Sequence, residues 1–232
     1  PGGDLSLVLC KNCTLLQLKQ SFDSKEMYGE NYGYMSSLNS SMVQHLKKKS
    51  LELSKFLKLK KNDTILDIGS NDGTFLKALP TYTKRIGIDP TIKKFGHYYP
   101  AEISKVAQFF SKESYLSIES EKNAKLVTSI SCFYDLPDPV AFVKDIREIL
   151  TDDGVWHFEQ AYLPSTIRAN SYDTVCHEHL EYYSMLAVRK ILDLAGMKIV
   201  DVSLNDINGG SFAVTACKDT NNDYTINSAK IN

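Results

Sequence analysis

Two histidines flank a carboxylate in Cys176-His177-Glu178-His179, and here residue type and spacing come closest to specifying a reaction. Histidine titrates near neutral pH. A positioned imidazole can take a proton from a carbon next to a carbonyl, while a neighbouring carboxylate orients it or holds a hydroxyl. The surroundings suit that use. Asn170-Ser171-Tyr172-Asp173-Thr174 precedes the motif, Leu180-Glu181-Tyr182-Tyr183-Ser184 follows it, and Glu159-Gln160-Ala161-Tyr162-Leu163-Pro164 leads in from the end of an apolar run that reads as a strand. In an open α/β sheet, residues past the carboxyl ends of strands gather at the ligand. Metal binding fits less well. His177 and His179 stand two apart rather than four, so H-E-H does not put both on one helical face as H-E-x-x-H does. A polar surface loop that happens to contain histidines is the plain alternative.

A second constellation, Asp67-Ile68-Gly69-Ser70-Asn71-Asp72-Gly73-Thr74, describes a binding turn. Thr64 to Ile68 reads as a short apolar strand and a helix is expected from about Thr74. Gly69 and Gly73 carry no Cβ and Asn71 tolerates a left-handed backbone, so a ligand can approach the main chain. The amides of the helix N-terminus favour an anionic group such as a carboxylate. Spacing narrows the ligand. A dinucleotide turn has G-x-G-x-x-G; this one has G-x-x-x-G with an acid, Asp67, two residues ahead. That acid repels a pyrophosphate and suits an ammonium carried beside a carboxylate. Arg85-Ile86-Gly87-Ile88-Asp89 reads as the next strand, ending in an acid placed to accept from two ribose hydroxyls. An amino-acid head near Asp67 and a ribose near Asp89 together describe S-adenosylmethionine. On this reading Asp67, Gly69, Ser70, Asn71, Gly73 and Asp89 hold the cofactor, with Ser131 beside them at the end of a later strand. The turn resembles motif I of the Rossmann-like methyltransferases, usually D-x-G-x-G-x-G, with Asn71 in place of the middle glycine. An ordinary strand-turn-helix without a ligand is the alternative on the turn alone.

The elements that must position these residues follow from periodicity. Cys10 and Cys13 end a short strand in Pro1 to Gln20, half of a zinc ribbon without a second pair to close the site. Two free thiols in a hairpin is the expectation for this chain. The tyrosine-rich stretch from Phe22 to Ser41, with Tyr28, Tyr32 and Tyr34, reads as a loop that either meets substrate or packs its rings on the core. Met42 to Leu59 reads as an amphipathic helix, with Met42, Leu46, Leu53, Phe56 and Leu57 inward and Lys47-Lys48-Lys49 on its solvated side. Strands are expected over Ser104 to Ala107, Leu126 to Ile130 and Val155 to Glu159. The loop from Ser131 to Pro139 should line the pocket, and a helix is expected over Pro139 to Leu150. Asp152-Asp153-Gly154 is expected to be a turn. Met185 to Leu194 reads as a helix capped by Gly196. Met197 to Val202 and Ser211 to Cys217 are joined too closely for a parallel crossover, so the last strand should be antiparallel. The fold expectation is α/β, the seven-stranded Rossmann-like methyltransferase sheet. The chain divides into a partial zinc-ribbon-like segment (1–20), a substrate-side loop and helix (21–62), the methyltransferase domain (63–218) and a disordered tail (219–232).

Composition removes other classes. Lys plus Arg number 27 and Asp plus Glu 28 in 232 residues, so no strong field recruits nucleic acid or an acidic membrane. No run approaches the ~18 apolar residues of a membrane span. The five cysteines form no disulfide framework, and a cytoplasmic address is expected. No oligomer is specified, and a monomer is compatible with the sequence.

Seven words in order make a closer resemblance. They are Cys10-x-x-Cys13 with Leu15-Leu16-Gln17-Leu18, the Tyr32 to Ser41 loop, Leu66 to Thr74, Gly87-Ile88-Asp89-Pro90, Glu159-Gln160-x-Tyr162-Leu163, Cys176-His177-Glu178-His179-Leu180-Glu181-Tyr182-Tyr183-Ser184, and Asn208-Gly209-Gly210-Ser211. Together they resemble the zinc-ribbon-bearing C-methyltransferases of nucleotide-activated keto-deoxysugars. The resemblance implies that one histidine of H-E-H removes the C3 proton of a 4-keto sugar, and that the enolate attacks the methyl of S-adenosylmethionine. It makes His179 the base, lets Glu178 contact the sugar and His177 support them, and brings Tyr32 or Tyr34 to the substrate from the other side. Cys176, where some relatives have tyrosine, and Tyr183 fall on the substrate side. It also implies a structural zinc at Cys10 and Cys13 in the full-length protein. Family members carry an earlier cysteine pair and a further α/β domain, so the chain is expected to be a fragment or a truncated form. The same scaffold also serves O- and N-methyltransferases and non-catalytic binding remnants.

Overall fold

The computed structural model describes residues 3–29 and 32–224. A hairpin of β1 (Leu7–Leu9) and β2 (Leu16–Leu18) is followed by α1 (Ser24–Met27) and the long α2 (Ser40–Leu57). Then come β3 (Thr64–Ile68), α3 (Thr74–Ala78), β4 (Lys84–Ile88), α4 (Ile92–Phe95), β5 (Ser104–Val106), α5 (Lys112–Leu116) and β6 (Ala124–Ile130). The chain continues through α6 (Pro139–Ile149), β7 (Leu150–Ala161), α7 (Leu163–Ala169), β8 (Glu181–Tyr182), α8 (Met185–Leu194), β9 (Met197–Asn205) and β10 (Ser211–Lys218).

Seven strands form one sheet in the order β5-β4-β3-β6-β7-β10-β9. β10 lies antiparallel to both its neighbours, and the pairs among β3 to β7 are parallel. This is the Rossmann-like methyltransferase sheet. Strands buried on both faces alternate between two apolar layers. Leu66, Val127, Trp156 and Phe158 pack toward α6 and α8, while Ile65, Leu126 and Val155 pack toward α2 and α3. Strand order reverses between β3 and β6. In such sheets the crevice beyond the carboxyl ends at that point takes the ligand.

α2 starts on Asn39, whose side chain accepts from the amides of Ser41 and Met42, and stops at Lys58 in the left-handed region. Met42, Leu46, Leu53 and Leu57 are buried as periodicity indicates, but two expectations for this helix fail. Phe56 is exposed and stacks on Tyr224, with ring centroids 5.5 Å apart. Lys49 is not on the solvated side. It is buried, with Nζ 3.2 Å from Glu159 on β7, and His45 Nε2 meets the other oxygen of that carboxylate at 2.5 Å. A buried carboxylate requires such partners, and they draw the lysine inward.

The stretch Asp152-Asp153-Gly154 is not a turn but part of β7, which bulges against β6 between Leu150 and Val155. Tail expectations also change. Residues 225–232 lie outside the described residues, but 219–224 fold back: Asn221 is buried and its Nδ2 donates to Asp152 O at 2.6 Å. β2 pairs with β8 as well as β1, giving a three-stranded sheet that ties the N-terminal hairpin to the stretch just after the histidine motif.

Removing one partner from a buried charged group is costly. Lys49→Met should therefore lower unfolding stability in urea by about 3 kcal/mol. Lys48→Met, at a side chain that is 77% exposed, should change it by less than about 0.5 kcal/mol.

Candidate active site

A cavity of about 500 Å³ opens at the reversal of strand order. Its floor comes from β3 and the turn after it: Asp67, Gly69, Ser70 and Asn71 line it, together with Asp89 and Thr91 after β4 and Ser131 after β6. Met42 and Leu46 of α2, Tyr28, Tyr32 and Tyr34 of the tyrosine loop, and Cys132 with Asp135 to Asp138 complete the wall.

The two strand-end acids differ in their bonding. Asp89 is held by three donors: Oδ2 accepts from Asn71 N at 2.9 Å, and Oδ1 accepts from Thr91 N at 2.6 Å and Thr91 Oγ1 at 2.5 Å. Oδ2 keeps a further lone pair for an incoming hydroxyl. Among the described residues Asp67 accepts from Thr128 Oγ1 alone, at 2.6 Å, and burial pushes its carboxyl up to about 7, with the Thr128 bond opposing and Asp89 adding to the rise. Such a group ionises when a cation arrives.

Asn71 has φ +51°, and this left-handed turn aims its amide at Asp89. Its side chain then grips the tyrosine loop, Oδ1 accepting from Ser36 N and Nδ2 donating to Tyr34 O, both at 3.0 Å. The helix N-terminus is not the open anion site expected from the sequence. Asp72 fills it, Oδ1 accepting from Thr74 N at 3.2 Å and Thr74 Oγ1 at 2.6 Å, while Oδ2 accepts from Ser37 N at 3.1 Å. Gly73 is likewise displaced from its expected role. It does not line the cavity, and a Cβ there meets the Tyr99 ring at 2.9 Å, so the glycine makes room for a core tyrosine. That phenol lies 2.8 Å from Ser70 Oγ and donates to Asn71 O at 2.9 Å.

The histidine loop packs beside the cavity and does not line it. His179 Nδ1 lies 2.8 Å from Thr174 O and its ring packs on Tyr134 with centroids 4.3 Å apart. With Nδ1 on Thr174 O, Nε2 is the other nitrogen of the ring, and the ring also hydrogen-bonds the Cys176 side chain. Burial alone would lower the His179 pKa, but the Cys176 thiol and the Asp135 carboxylate outweigh it and raise the ring to about 9. Cys176 is half-buried; burial works to raise its thiol, and the adjacent His179 brings it below the usual range. Glu178 is exposed, and its charge acts on the phenols of Tyr28 and Tyr32, which burial has already pushed up. His177 turns away toward the N-terminal segment, its Nε2 2.9 Å from Gly3 O and its ring edge-on to Phe22 at 4.7 Å.

Residues 41–202 match the model of a family described as a methyltransferase domain. The chain belongs to the methyltransferase domain family. It is 28% identical over 214 residues to the C-methyltransferase NovU of Streptomyces niveus, an alignment covering 91% of this chain and 51% of NovU. The chain thus spans about half the length of that relative. Solved structures share the fold: the plantazolicin methyltransferase BpumL, determined with SAH, has a TM-score of 0.60 at 12% identity, over 84% of this chain and 91% of that one. An S-adenosylmethionine-dependent methyltransferase from Clostridium acetobutylicum ATCC 824 has a TM-score of 0.59 at 10% identity, over 76% of this chain and 92% of that one.

Within this methyltransferase domain, two further expectations change. Tyr183 is a core residue: it is fully buried, stacked on Phe133 at 4.9 Å, and its hydroxyl donates to Glu181 Oε2 at 2.7 Å. Periodicity explains this, since Tyr183 follows the short β8 and points into the layer beneath α6 and α8. The metal expectation finds half a site. Cys10 and Cys13 share a tight turn, with Cys13 N 3.5 Å from Cys10 Sγ, but no group of three His, Cys, Asp or Glu able to hold a metal occurs among the described residues. No zinc chemistry follows from them.

Asp135, Tyr28, Met42 and Leu46 are cavity residues that motif reasoning did not select. Asp135 stood inside the loop expected to line the pocket, and its acid was the available signal. His45 lies three residues after Met42, on the inward side of α2, where a histidine among apolar residues was the signal for the Glu159 contact.

Asp72 joins the tyrosine loop to the turn, and losing a side-chain cap costs about 1 kcal/mol. Asp72→Ala should destabilise the domain by about that amount. Amide exchange at Ser36, Ser37 and Leu38 should accelerate more than exchange in β3.

Proposed function

We propose that this chain is the catalytic domain of an S-adenosylmethionine-dependent C-methyltransferase acting at C3 of a nucleotide-linked 4-keto-deoxysugar. One observation carries the reading: a single cavity collects Asp67, Asp89 and the tyrosine loop, and the histidine loop packs against its wall. The similarity to NovU supports transfer to carbon. The order of motifs through the histidine stretch supports a nucleotide keto-sugar as substrate.

The residues present fit the cofactor. Asp67, half-satisfied and raised to about 7, suits an ammonium, and Asp89 Oδ2 keeps a lone pair in a fixed position for a ribose hydroxyl. The cavity volume falls in the range of small-molecule sites. When bound, S-adenosylmethionine supplies an electrophilic methyl group. Ser131 and the turn at Gly69 and Ser70 bring main chain to it. On the substrate side, Nε2 of His179 takes the proton at C3, which the adjacent ketone makes acidic, and Glu178 holds a sugar hydroxyl. Tyr32 and Tyr34 close the site from the opposite wall, while His177 fixes the loop to the N-terminal segment.

A positioned general base contributes about 10²- to 10⁴-fold. His179→Asn should cost at least about 10²-fold in methyl incorporation into nucleotide keto-sugars while leaving the Kd for S-adenosylhomocysteine within about twofold. In the wild type, the base form is lost as pH falls through about 9, so the rate should rise with pH up to that point. Product NMR showing a new carbon–carbon bond at C3 separates this reaction from O- or N-methylation. Wild-type rates in the variant would end the assignment.

Asp67 gives an independent check of the cofactor. Its folded pKa of about 7 exceeds the ordinary aspartate value of 3.8, so the unliganded fold holds a proton there that the unfolded chain has lost. By itself this group favours the fold most at low pH, and that contribution falls away as pH rises from about 4 to 7. An ammonium at the site ionises Asp67. Titration with S-adenosylhomocysteine near pH 6, in buffers of different ionisation enthalpy, should therefore show proton release that vanishes in Asp67→Asn.

A further inference from the structure

Asp89 is gripped by two segments, and each of them also grips the tyrosine loop. Asn71 N donates to Asp89 Oδ2 at 2.9 Å, while the Asn71 side chain accepts from Ser36 N and donates to Tyr34 O, both at 3.0 Å. On the other side Thr91 N donates to Asp89 Oδ1 at 2.6 Å, and Lys94, three residues on in α4, donates to Tyr32 O at 2.9 Å. Tyr32, Tyr34 and Ser36 all line the cavity. The acid read as the ribose acceptor and the wall read as meeting substrate therefore hang on the same two segments.

The residue type at position 71 fits a task that glycine there could not perform. Its backbone is left-handed, with φ +51°, a conformation that glycine adopts freely. A turn that needed only close approach of a ligand would be served by glycine. Asparagine adds a side-chain amide, which carries both a donor and an acceptor. Both are used, on the carbonyl before Met35 and on the amide after it, as a neighbouring strand would use them. Asn71 is itself buried, so water competes little for these bonds.

We propose that Asn71 is a positioning residue for substrate, coupling the cofactor site to the tyrosine loop: a ribose hydroxyl on Asp89 fixes the Asn71 turn, whose side chain then holds Tyr34 and Ser36 in place as the substrate-side wall. The inference rests on the reading of Asp89 as the ribose acceptor. A hydroxyl donating to Oδ2 favours the arrangement in which Asn71 N already holds that oxygen, and it biases the loop only through this preference. Occupancy of the cofactor pocket thus completes the wall that substrate meets. Asp72 adds a hold that does not pass through Asp89, its Oδ2 accepting from Ser37 N at 3.1 Å, so part of the loop's order is independent of cofactor.

The test reads amide exchange at Ser36 and Ser37 with and without saturating S-adenosylhomocysteine, binding being checked by calorimetry in each variant. In the wild type the ligand should slow exchange at both amides by about fivefold or more, the lower end of couplings between sites. Asn71→Gly keeps the backbone amide on Asp89 and the left-handed turn, and removes only the clamp. It should still bind the ligand, but the slowing at Ser36 and Ser37 should fall below about twofold. A clamp with a merely structural role would speed exchange by the same factor with and without ligand. Slowing that survives intact in Asn71→Gly therefore overturns the proposal. If Asn71→Gly does not fold, Lys94→Met carries the test at Gly33 and Tyr34, where the ligand-dependent slowing should drop by about twofold or more; unchanged slowing there overturns the proposal. A wild-type chain that does not bind S-adenosylhomocysteine would end the Asp89 reading and the coupling together, whereas binding without protection of the loop would end the coupling alone.

Discussion

Carboxylates at the ends of parallel strands must find hydrogen-bond donors, because the strands have already used their own amides in the sheet. At the end of β4 this need is met by the Asn71 amide, and the geometry of that one bond shapes the whole front of the domain. For Asn71 to present its N–H to Asp89, the turn after β3 must be left-handed at that residue. Once the backbone is so turned, the Asn71 side chain faces the chain before α2 and holds Tyr34 and Ser36. Asp72, next in sequence, caps α3 with one oxygen and holds Ser37 with the other. The turn after β3 and the tyrosine loop more than thirty residues away are thus parts of one hydrogen-bonded unit.

The opposite wall has its own buried acid. Glu159 is buried near the end of β7, and His45 and Lys49 of α2 reach down to it. With both partners in place its carboxyl stays below the ordinary range although burial pushes the other way. The consequence is positional. Met42 and Leu46, which line the cavity, belong to the same helix, so the ion pair and the apolar contacts of α2 together fix that wall. The Glu159 carbonyl also accepts from Ser131 N at 2.7 Å, tying the loop after β6 to the same strand end.

The histidine loop is held from two directions. β8 pairs with β2, and Leu180 N bonds the turn after β6. Because the loop spans the N-terminal hairpin and the cavity wall, the hairpin acts as a brace for the residues that read as chemical in the sequence. The turn after β6 meets both sides: Asp135 lines the cavity and Tyr134 carries the His179 ring.

Much of this was legible from one dimension. The alternation of apolar strands and amphipathic helices specified the sheet and its antiparallel last strand, because burial on both faces and the length of the final connection are local properties. The acids at strand ends, Asp67 and Asp89, could be selected because an α/β sheet sends strand ends to its crevice whatever the details. Tertiary structure decided matters that depend on partners distant in sequence. Lys49 looked like a surface lysine because its need, the buried Glu159, lies on another element. Gly73 looked like a ligand contact because nothing local announces Tyr99 behind it, and Tyr183 looked like a substrate contact because its phenol, read alone, does not show the Phe133 ring stacked on it. The sequence by itself determined which chemical groups this protein owns and roughly where along the sheet they end. Only the folded chain decided which of them share a cavity, because burial and electrostatic pairing are properties of the space between elements.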